Sequence, residues 1–486
     1  MAMVAKAPEA PVPSEDFELE ALAEGSVPPD VEFALFLQNA KTAVPSREDL
    51  LRLRPHDPRL QCFTAHRHVL PAAFLRRVLH AENHYRQALQ QQQGFQDTLL
   101  AALSGQVQIG RDGGLINVDQ SRFFFSINVR RDHLLEDTLQ VLQDAAPADL
   151  QKQLKVTFRG EEGQDAGGVS REFFRLLGEQ LFDLRSKFFD TAVAEEARVL
   201  WPDRASPREP VDFWMLGVVL GLAVYNSLPG LDARFPVCIF RKLRGEPVGL
   251  DDLQEVQPQV ASSMRRLLTW APEEKMSTAA AEDMFANLFP LDFTVSYEDE
   301  GGVSRTEELK PGGKDMSVTL SSRGEFVSLY CGWVLTSSIS SQFTPFKKGF
   351  SRVCESPMLQ ALTGDELARI VMGEEDIALE RLQPKAKYVN YSPIDSCIIW
   401  FWEVLQELSP QQRRLFLSFA TGSDRSPVGG LGELQLTIQR AGGDADRLPS
   451  AHTCFNLVIL PNYPSKDALR KALLMAIENT EGFGLE

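Results

Sequence analysis

Hydrophobic positions along the chain change their period several times, and each change marks an element. Residues 1–30 carry almost no apolar rhythm and are rich in Ala, Pro and Glu, a composition too poor in burial to offset chain entropy, so disorder is expected. From Val31 to about Leu103 the spacing turns helical. Phe33, Leu35, Phe36 and Leu37 open it, Ser46 begins a helix-start signal, and Leu70 to Leu89 continues into a polar run, Gln90 to Gln93, that fits a solvated helix face. Gly105 to Asn117 reads as a loop. Phe123 to Arg131 is strand-like and leads through His133 into a helix ending near Leu142, and Leu154 to Arg159 is a second short strand. Gly167 and Gly168 form a sharp turn, with Ser170 placed to cap the helix that follows.

Val211 to Leu228 is nearly all apolar, as expected for a helix at the centre of a core. Leu250 to Trp270 reads as one helix with Val260, Met264, Leu267 and Leu268 on a stripe. Ala281 to Tyr297 ends in a strand, and Glu298 to Arg305 is a polar hairpin. Arg323 starts a helix carrying Trp333, and Phe343 to Phe350, with its Pro, is expected to close it. The pattern breaks at Met372-Gly-Glu-Glu, the expected hinge before a last unit of about 110 residues. That unit alternates. Ile398 to Leu408 and Pro410 to Ala420 read as helices, Leu434 to Arg440 and Phe455 to Leu460 as strands, and Ser465 caps a final helix that Gly482 ends.

Composition narrows the function classes. At 486 residues the chain is long enough for about three units. A net charge of −17 argues against sequence-independent nucleic-acid binding and against an anionic membrane surface. The most apolar window, from Phe213 to Leu228, is too short and too interrupted by Gly for a membrane span. No signal-peptide core opens the chain, and the six cysteines lie far apart with no Cys-x-x-Cys pair. The expectation is a soluble intracellular protein, cytoplasmic and open to the nucleus, without metal or cofactor.

The candidate chemistry lies in Leu448 to Leu460, where Cys454 stands between a Pro-led turn and an apolar strand. Cys238, Cys331 and Cys397 sit in apolar surroundings and read as core residues, while Cys62 and Cys354 have no accompanying groups. Cys454 follows His452 and Thr453. In an extended stretch residues two apart point the same way, so His452 is placed to polarise the thiol or steady an oxyanion. Beyond the N-terminal region the only histidines are His133 and His452, a shortage that disfavours a cysteine protease. A thiol that accepts an already activated acyl group needs less help. The Gly-rich turn at 163–168 lacks the P-loop Lys, and a tight turn before a core helix is the favoured reading.

Several separate motifs resemble those of HECT-type ubiquitin ligases, over about residues 121–486. They are Asn128 to His133, the DxGGxxREFF-like run from Asp165 to Phe174, Glu325 to Tyr330, Gln342 to Phe350, Thr421 to Gly430, and Leu448 to Asn456. The resemblance is closest to the E6-associated, HERC and HECTD group. It implies an α+β fold, a bilobal HECT domain with a large, mostly helical N-lobe and a small α/β C-lobe, preceded by a helical extension. The implied boundaries are a tail at 1–30, an extension at 31–118, an N-lobe at 119–371 with a subdomain for the ubiquitin-conjugating enzyme (E2) at about 255–330, a hinge at 372–375 and a C-lobe at 376–486.

The resemblance also implies a mechanism: Cys454 takes ubiquitin from an E2 as a thioester and passes it to a substrate lysine. By the same resemblance His452 and Thr453 shape the thioester environment, Phe483 sets lobe orientation, and Glu486 assists the incoming lysine. Val260, Met264, Leu268, Trp270, Met284 and Phe326 dock the E2, with Phe326 the expected exposed anchor, and Gly373 and Glu374 form the hinge. The implied partners are an E2, ubiquitin and protein substrates, and residues 31–103 are the candidate recruiter. Two other readings remain beside it, a non-catalytic scaffold that binds E2 or ubiquitin and a cysteine deubiquitinase.

Overall fold

A computed structural model describes residues 72–104, 108–109, 115–116, 119–161, 168–226, 234–273, 276–298, 303–356, 358–359, 362–373, 377–427, 430–442 and 447–478. The expected tail, residues 31–71, Cys62, Glu374, Phe483 and Glu486 lie outside them.

The described chain opens with α1 (Ala72–Leu103), followed by a two-stranded antiparallel ladder of β1 (Gln108–Ile109) and β2 (Leu115–Ile116), where the sequence suggested only a loop. Then come β3 (Phe124–Val129), α2 (Leu134–Asp144), β4 (Gln153–Phe158), α3 (Gly168–Phe182) and α4 (Thr191–Ala197). Strands β3 and β4 pair in parallel, as a strand–helix–strand crossover requires. Ser170 is not a cap. It lies buried inside α3, which already begins at Gly168.

Next are α5 (Pro210–Tyr225) and α6 (Val237–Arg244). The stretch from Leu250 to Trp270 is two helices, α7 (Leu250–Val256) and α8 (Pro258–Thr269), because Pro258 lacks the N–H to continue one helix and instead starts the next. After α9 (Thr278–Leu288), β5 (Thr294–Glu298) and β6 (Ser304–Glu308) form the expected antiparallel pair. Helix α10 (Arg323–Gly332) runs into a π-helical turn over Trp333–Ser337, then α11 (Ser340–Val353) and α12 (Gly364–Met372).

Phe343 to Phe350 does not end a helix. It forms the middle of α11, with Pro345 inside. Packing overrides the proline there. A Cβ on Gly349 would come within 2.0 Å of Trp214 O, and one on Gly217 within 2.0 Å of Phe346 O, so α5 and α11 touch backbone to backbone. The glycines that interrupt the apolar run of α5 are what permit this approach.

The last unit holds β7 (Lys387–Val389), α13 (Ser396–Gln406), α14 (Pro410–Thr421), β8 (Thr437–Arg440), β9 (Ser450–His452), β10 (Leu457–Leu460) and α15 (Lys466–Glu478). Its sheet has the order β7-β8-β10-β9, with only β9 antiparallel to its neighbour. Ser465 caps α15, its Oγ accepting from Ala468 N at 3.2 Å.

Two hydrophobic cores follow this division. One gathers residues from Phe74 to Ala368, the other from Ile377 to Ile477, and Gly373 stands between them. The larger core includes Phe74, Leu75, Val78 and Leu79 of α1, so this helix is built into the N-lobe and is not a separate extension. Buried polar groups fix its seat. Glu82 and Arg86, at 1% and 8% exposure, pair at 2.7 Å; Glu82 Oε2 accepts from Met358 N, and Asn83 Nδ2 donates to Tyr225 O. Among the described residues no helix is long and apolar enough to cross a membrane.

Candidate active site and partner surface

Cys454 is the middle residue of a 3-10 turn, Thr453–Phe455, that joins β9 to β10. Asn456 leaves the turn with φ 47°, a left-handed conformation that asparagine tolerates, and its carbonyl accepts from Thr437 N of β8 at 2.9 Å. The sheet thus fixes both ends of the turn while its sides face outward: His452 is exposed and Phe455 is 61% exposed. The strand argument that placed His452 and Cys454 on one side does not hold. His452 ends the strand and Cys454 lies in the turn, where alternation no longer applies.

Cys238, Cys331, Cys354 and Cys397 are buried. Burial pushes the Cys331 thiol up to about 11 and raises Cys238 and Cys354 further in the same direction. Cys354 Sγ donates to Gly221 O and Cys397 Sγ to Pro461 O, so both act as core donors. Thiols held protonated in a core are poor nucleophiles.

The loop 421–427 links the turn to the hinge. Gly422, with φ 81°, ends α14 directly against Thr453, whose side chain lies 3.4 Å from where a Cβ would sit. Further along, a Cβ on Gly373 would come within 2.4 Å of Ser426 O. Gly373 itself has φ 77° and ψ −175°, a conformation open essentially to glycine alone. Between these two points Asp424 pairs with Arg234 of the N-lobe at 2.9 Å. The turn bearing Cys454 comes within 8 Å of α3, Cα to Cα. The N-lobe side of the hinge is held firmly: Arg241 bridges Asp252 and Asp365, and Glu246 Oε1 accepts from Gly364 N, so α12 is clamped to α6.

The six expected E2-docking residues gather on one unit formed by α8, α9 and α10, but they do not share one surface. Val260, Leu268 and Trp270 are half-buried, with Trp270 edge-on to Phe285 at 5.5 Å. Met284 is exposed. Met264 is buried, and Phe326, expected as the exposed anchor, is 2% exposed beneath the hairpin, edge-on to Phe293 at 5.7 Å. The polar turn before Phe326 marks the start of α10, whose apolar face turns into the core. Exposed apolar residues that sequence reasoning missed lie beside Met284. Leu288 is one helical turn away on α9, and Leu291 and Met316 flank the Asp292–Ser317 bridge. Sequence spacing could not have found them: Ala281, Met284, Phe285 and Leu288 lie at i, i+3, i+4 and i+7 on one apolar stripe, which reads as core throughout, and only the tertiary packing leaves Met284 and Leu288 exposed at its edge.

Residues 175–486 match the HECT-domain (ubiquitin-transferase) family. The chain is 37% identical over 382 residues to a probable E3 ubiquitin-protein ligase, HECTD2, of Mus musculus, covering 76% of this chain and 47% of that one. It is 37% identical over 358 residues to a probable E3 ubiquitin-protein ligase, HERC4, of Homo sapiens, covering 74% of this chain and 32% of that one. Similarity reaches the probable E3 ubiquitin-protein ligase mug30 of Schizosaccharomyces pombe, at 32% identity over 390 residues, 74% of this chain and 46% of that one. The matched region thus spans about half or less of each of these relatives.

Proposed function

Because the chain belongs to the HECT-domain (ubiquitin-transferase) family, we propose that it is an E3 ubiquitin ligase whose carrier thiol is Cys454. The observation that supports the assignment is the placement of the turn Thr453–Phe455, which joins β9 to β10 and whose flanking His452 and Phe455 are exposed, while Cys238, Cys331, Cys354 and Cys397 are buried in cores. The Cys454 sulfur attacks the thioester carbonyl that joins ubiquitin to the E2 cysteine. A new S–C bond forms, the E2 S–C bond breaks, and the E2 departs as thiolate. The substrate lysine amine then attacks the Cys454 thioester, an isopeptide C–N bond forms, the amine proton passes to solvent or a nearby base, and the Cys454 thiolate is regenerated.

The first step is nearly isoenergetic, so it needs proximity more than a dedicated base. His452 and Thr453 frame the thioester, and Phe483 and Glu486 act at the second step. The E2 docks on the exposed row Met284, Leu288, Leu291 and Met316, rimmed by Val260, Leu268 and Trp270, while Met264 and Phe326 brace this surface from behind. Gly373 and Glu374 let the C-lobe travel between the E2 and the substrate.

The test is a non-reducing gel of the protein mixed with ubiquitin-charged E2 enzymes. A thiol-sensitive ubiquitin adduct is expected, absent in Cys454→Ala. No adduct with a panel of E2 enzymes would sink the assignment in favour of a scaffold, and cleavage of ubiquitin chains would favour a deubiquitinase.

A further inference from the structure

The α8–α10 unit shares the N-lobe core on one side, but on its hairpin side the packing is incomplete. A cavity of about 70 Å³ lies there, lined by Asp190, Trp201, Gln257, Ser296, Tyr330 and Ser338 among others. Gln257 Oε1, at the point where the chain enters the unit, is buried without a protein partner among the described residues. A polar cavity of this size is wet by its chemistry, and a wet seam does not fix the angle between its two walls as close packing does. The chain re-emerges from the unit through the π-helical turn Trp333–Ser337, whose wider hydrogen-bond ring is a common site of adjustment in a helix.

Arg204 crosses this seam, as does Glu196, whose Oε1 accepts from Gln259 N of α8 at 3.5 Å. Arg204 leaves the loop between α4 and α5 and lies over the ring of Tyr297 on β5, 4.2 Å from its centroid, and 5.7 Å from the ring centroid of Trp333. Tyr297 and Trp333 are themselves in contact, their ring centroids 5.3 Å apart and their planes tilted by 38°. The guanidinium donates from Nη2 to Glu298 O at 2.7 Å, at the end of β5. Behind it, Gln342 Nε2 of α11 donates to Arg204 O at 3.0 Å, which anchors the loop to the central helix pair. Arg204 therefore ties the hairpin face of the E2-docking unit to the body of the N-lobe, beside a polar cavity whose remaining walls include the buried side chains of Val193, Val295, Val334 and Ile339.

We propose that Arg204 is a positioning residue for ubiquitin transfer from the E2. It sets the angle of the docking unit, and thereby the distance over which the acyl group must pass from the E2 sulfur to Cys454. The inference rests on the ligase reading above. The partners of Arg204 are Tyr297, Trp333, Glu298 and Gln342, none of them on α9 or in its exposed apolar row. Loosening Arg204 should therefore leave E2 affinity intact and lower the rate at saturating E2.

The experiment compares two ubiquitin donors on the full chain, an E2 carrying fluorescent ubiquitin as a thioester and a small-molecule thioester, ubiquitin–mercaptoethanesulfonate, that loads the thiol without an E2. Arg204→Met and Tyr297→Leu are expected to lower the maximal E2-dependent loading rate about 10-fold, while the half-saturating E2 concentration stays within about 2-fold. Loading from the small thioester and the melting temperature should not move, and Arg204→Lys should recover part of the rate through the retained charge. Three results would overturn the proposal: an unchanged maximal rate, a change confined to half-saturation, or parallel loss with both donors. If the parent chain loads from neither donor, the ligase reading falls and the inference falls with it.

Discussion

The two lobes hold themselves together in different ways. The N-lobe is a single large core whose helices cross at glycine contacts and whose seams are bolted by polar groups, the buried Glu82–Arg86 pair under α1 and half-buried Arg241 between buried Asp252 and exposed Asp365. Buried pairs of this kind define geometry more than they add stability. The C-lobe is a small sheet-and-helix unit with its own core, and among the described residues its contacts with the N-lobe include the close approach of Gly373 to Ser426, the half-exposed Arg234–Asp424 ion pair and the approach of the Cys454 turn to α3. The proposed roles, a body that presents the E2 and a lighter body that carries the thiol, would use these opposite constructions. Independent cores let one lobe turn without unfolding the other.

If the cores are independent, damage to one should not spread. Leu75→Ala and Leu79→Ala, at fully buried α1 positions, should each cost about 2–5 kcal/mol, seen as a fall in the N-lobe transition by calorimetry while the C-lobe transition stays in place. A single transition that moves as a whole would break the comparison.

Gly373→Ala tests the joint itself. Its backbone conformation and the nearby Ser426 O leave no room for a Cβ, at a cost of about 1–3 kcal/mol. The lobes should shift relative to each other by small-angle scattering and transfer to lysine should slow, with both melting transitions preserved. Unchanged scattering and unchanged transfer would refute a hinge at this residue.

A smaller effect concerns Lys242, buried beside Phe343 with its Nζ donating to Leu335 O at 2.5 Å. Burial lowers its pKa from 10.5 to about 8. The unfolded chain therefore holds this proton more tightly than the folded one, so ionisation destabilises the fold fully below about pH 8 and is relieved as pH rises toward 10.5. The melting temperature of Lys242→Met minus that of the parent should be greatest below pH 8 and decline by about 2–4 °C between pH 8 and 10. A difference that is flat with pH would show the ammonium to be well solvated.

The weakest effect belongs to the ion pair between the lobes. Arg234→Ala should change stability by less than about 1 kcal/mol, because Arg234 is half-exposed and screened. It should still alter the distribution of lobe orientations by single-molecule fluorescence, more at low salt than at high salt. No dependence on salt would remove Asp424 as a latch.

Much of this was legible in the sequence. Helical and strand periods located α2, α13, α14, α15, β3 and β4, a nearly all-apolar run located α5, and a polar turn located the β5–β6 hairpin, all signals that local spacing reveals. The break at Gly373 was legible for a similar reason, as it depends on near neighbours in the chain. Tertiary structure decided the rest. Pro345 reads as a helix end but sits inside α11, because the glycine crossing with α5 holds the helix through it. Phe326 follows a polar turn but is drawn into a core built by residues 30 and more positions away. Helix α1 looks like an appendage, yet Tyr225 and Met358, more than 140 positions along, fix its seat. Arg204 gave no local signal at all, because the aromatic pair that receives it lies 93 and 129 residues downstream. Period and turn chemistry are local and can be read in order. Which face is finally covered, and which charge spans a seam, depends on contacts between distant segments that exist only once the chain has folded.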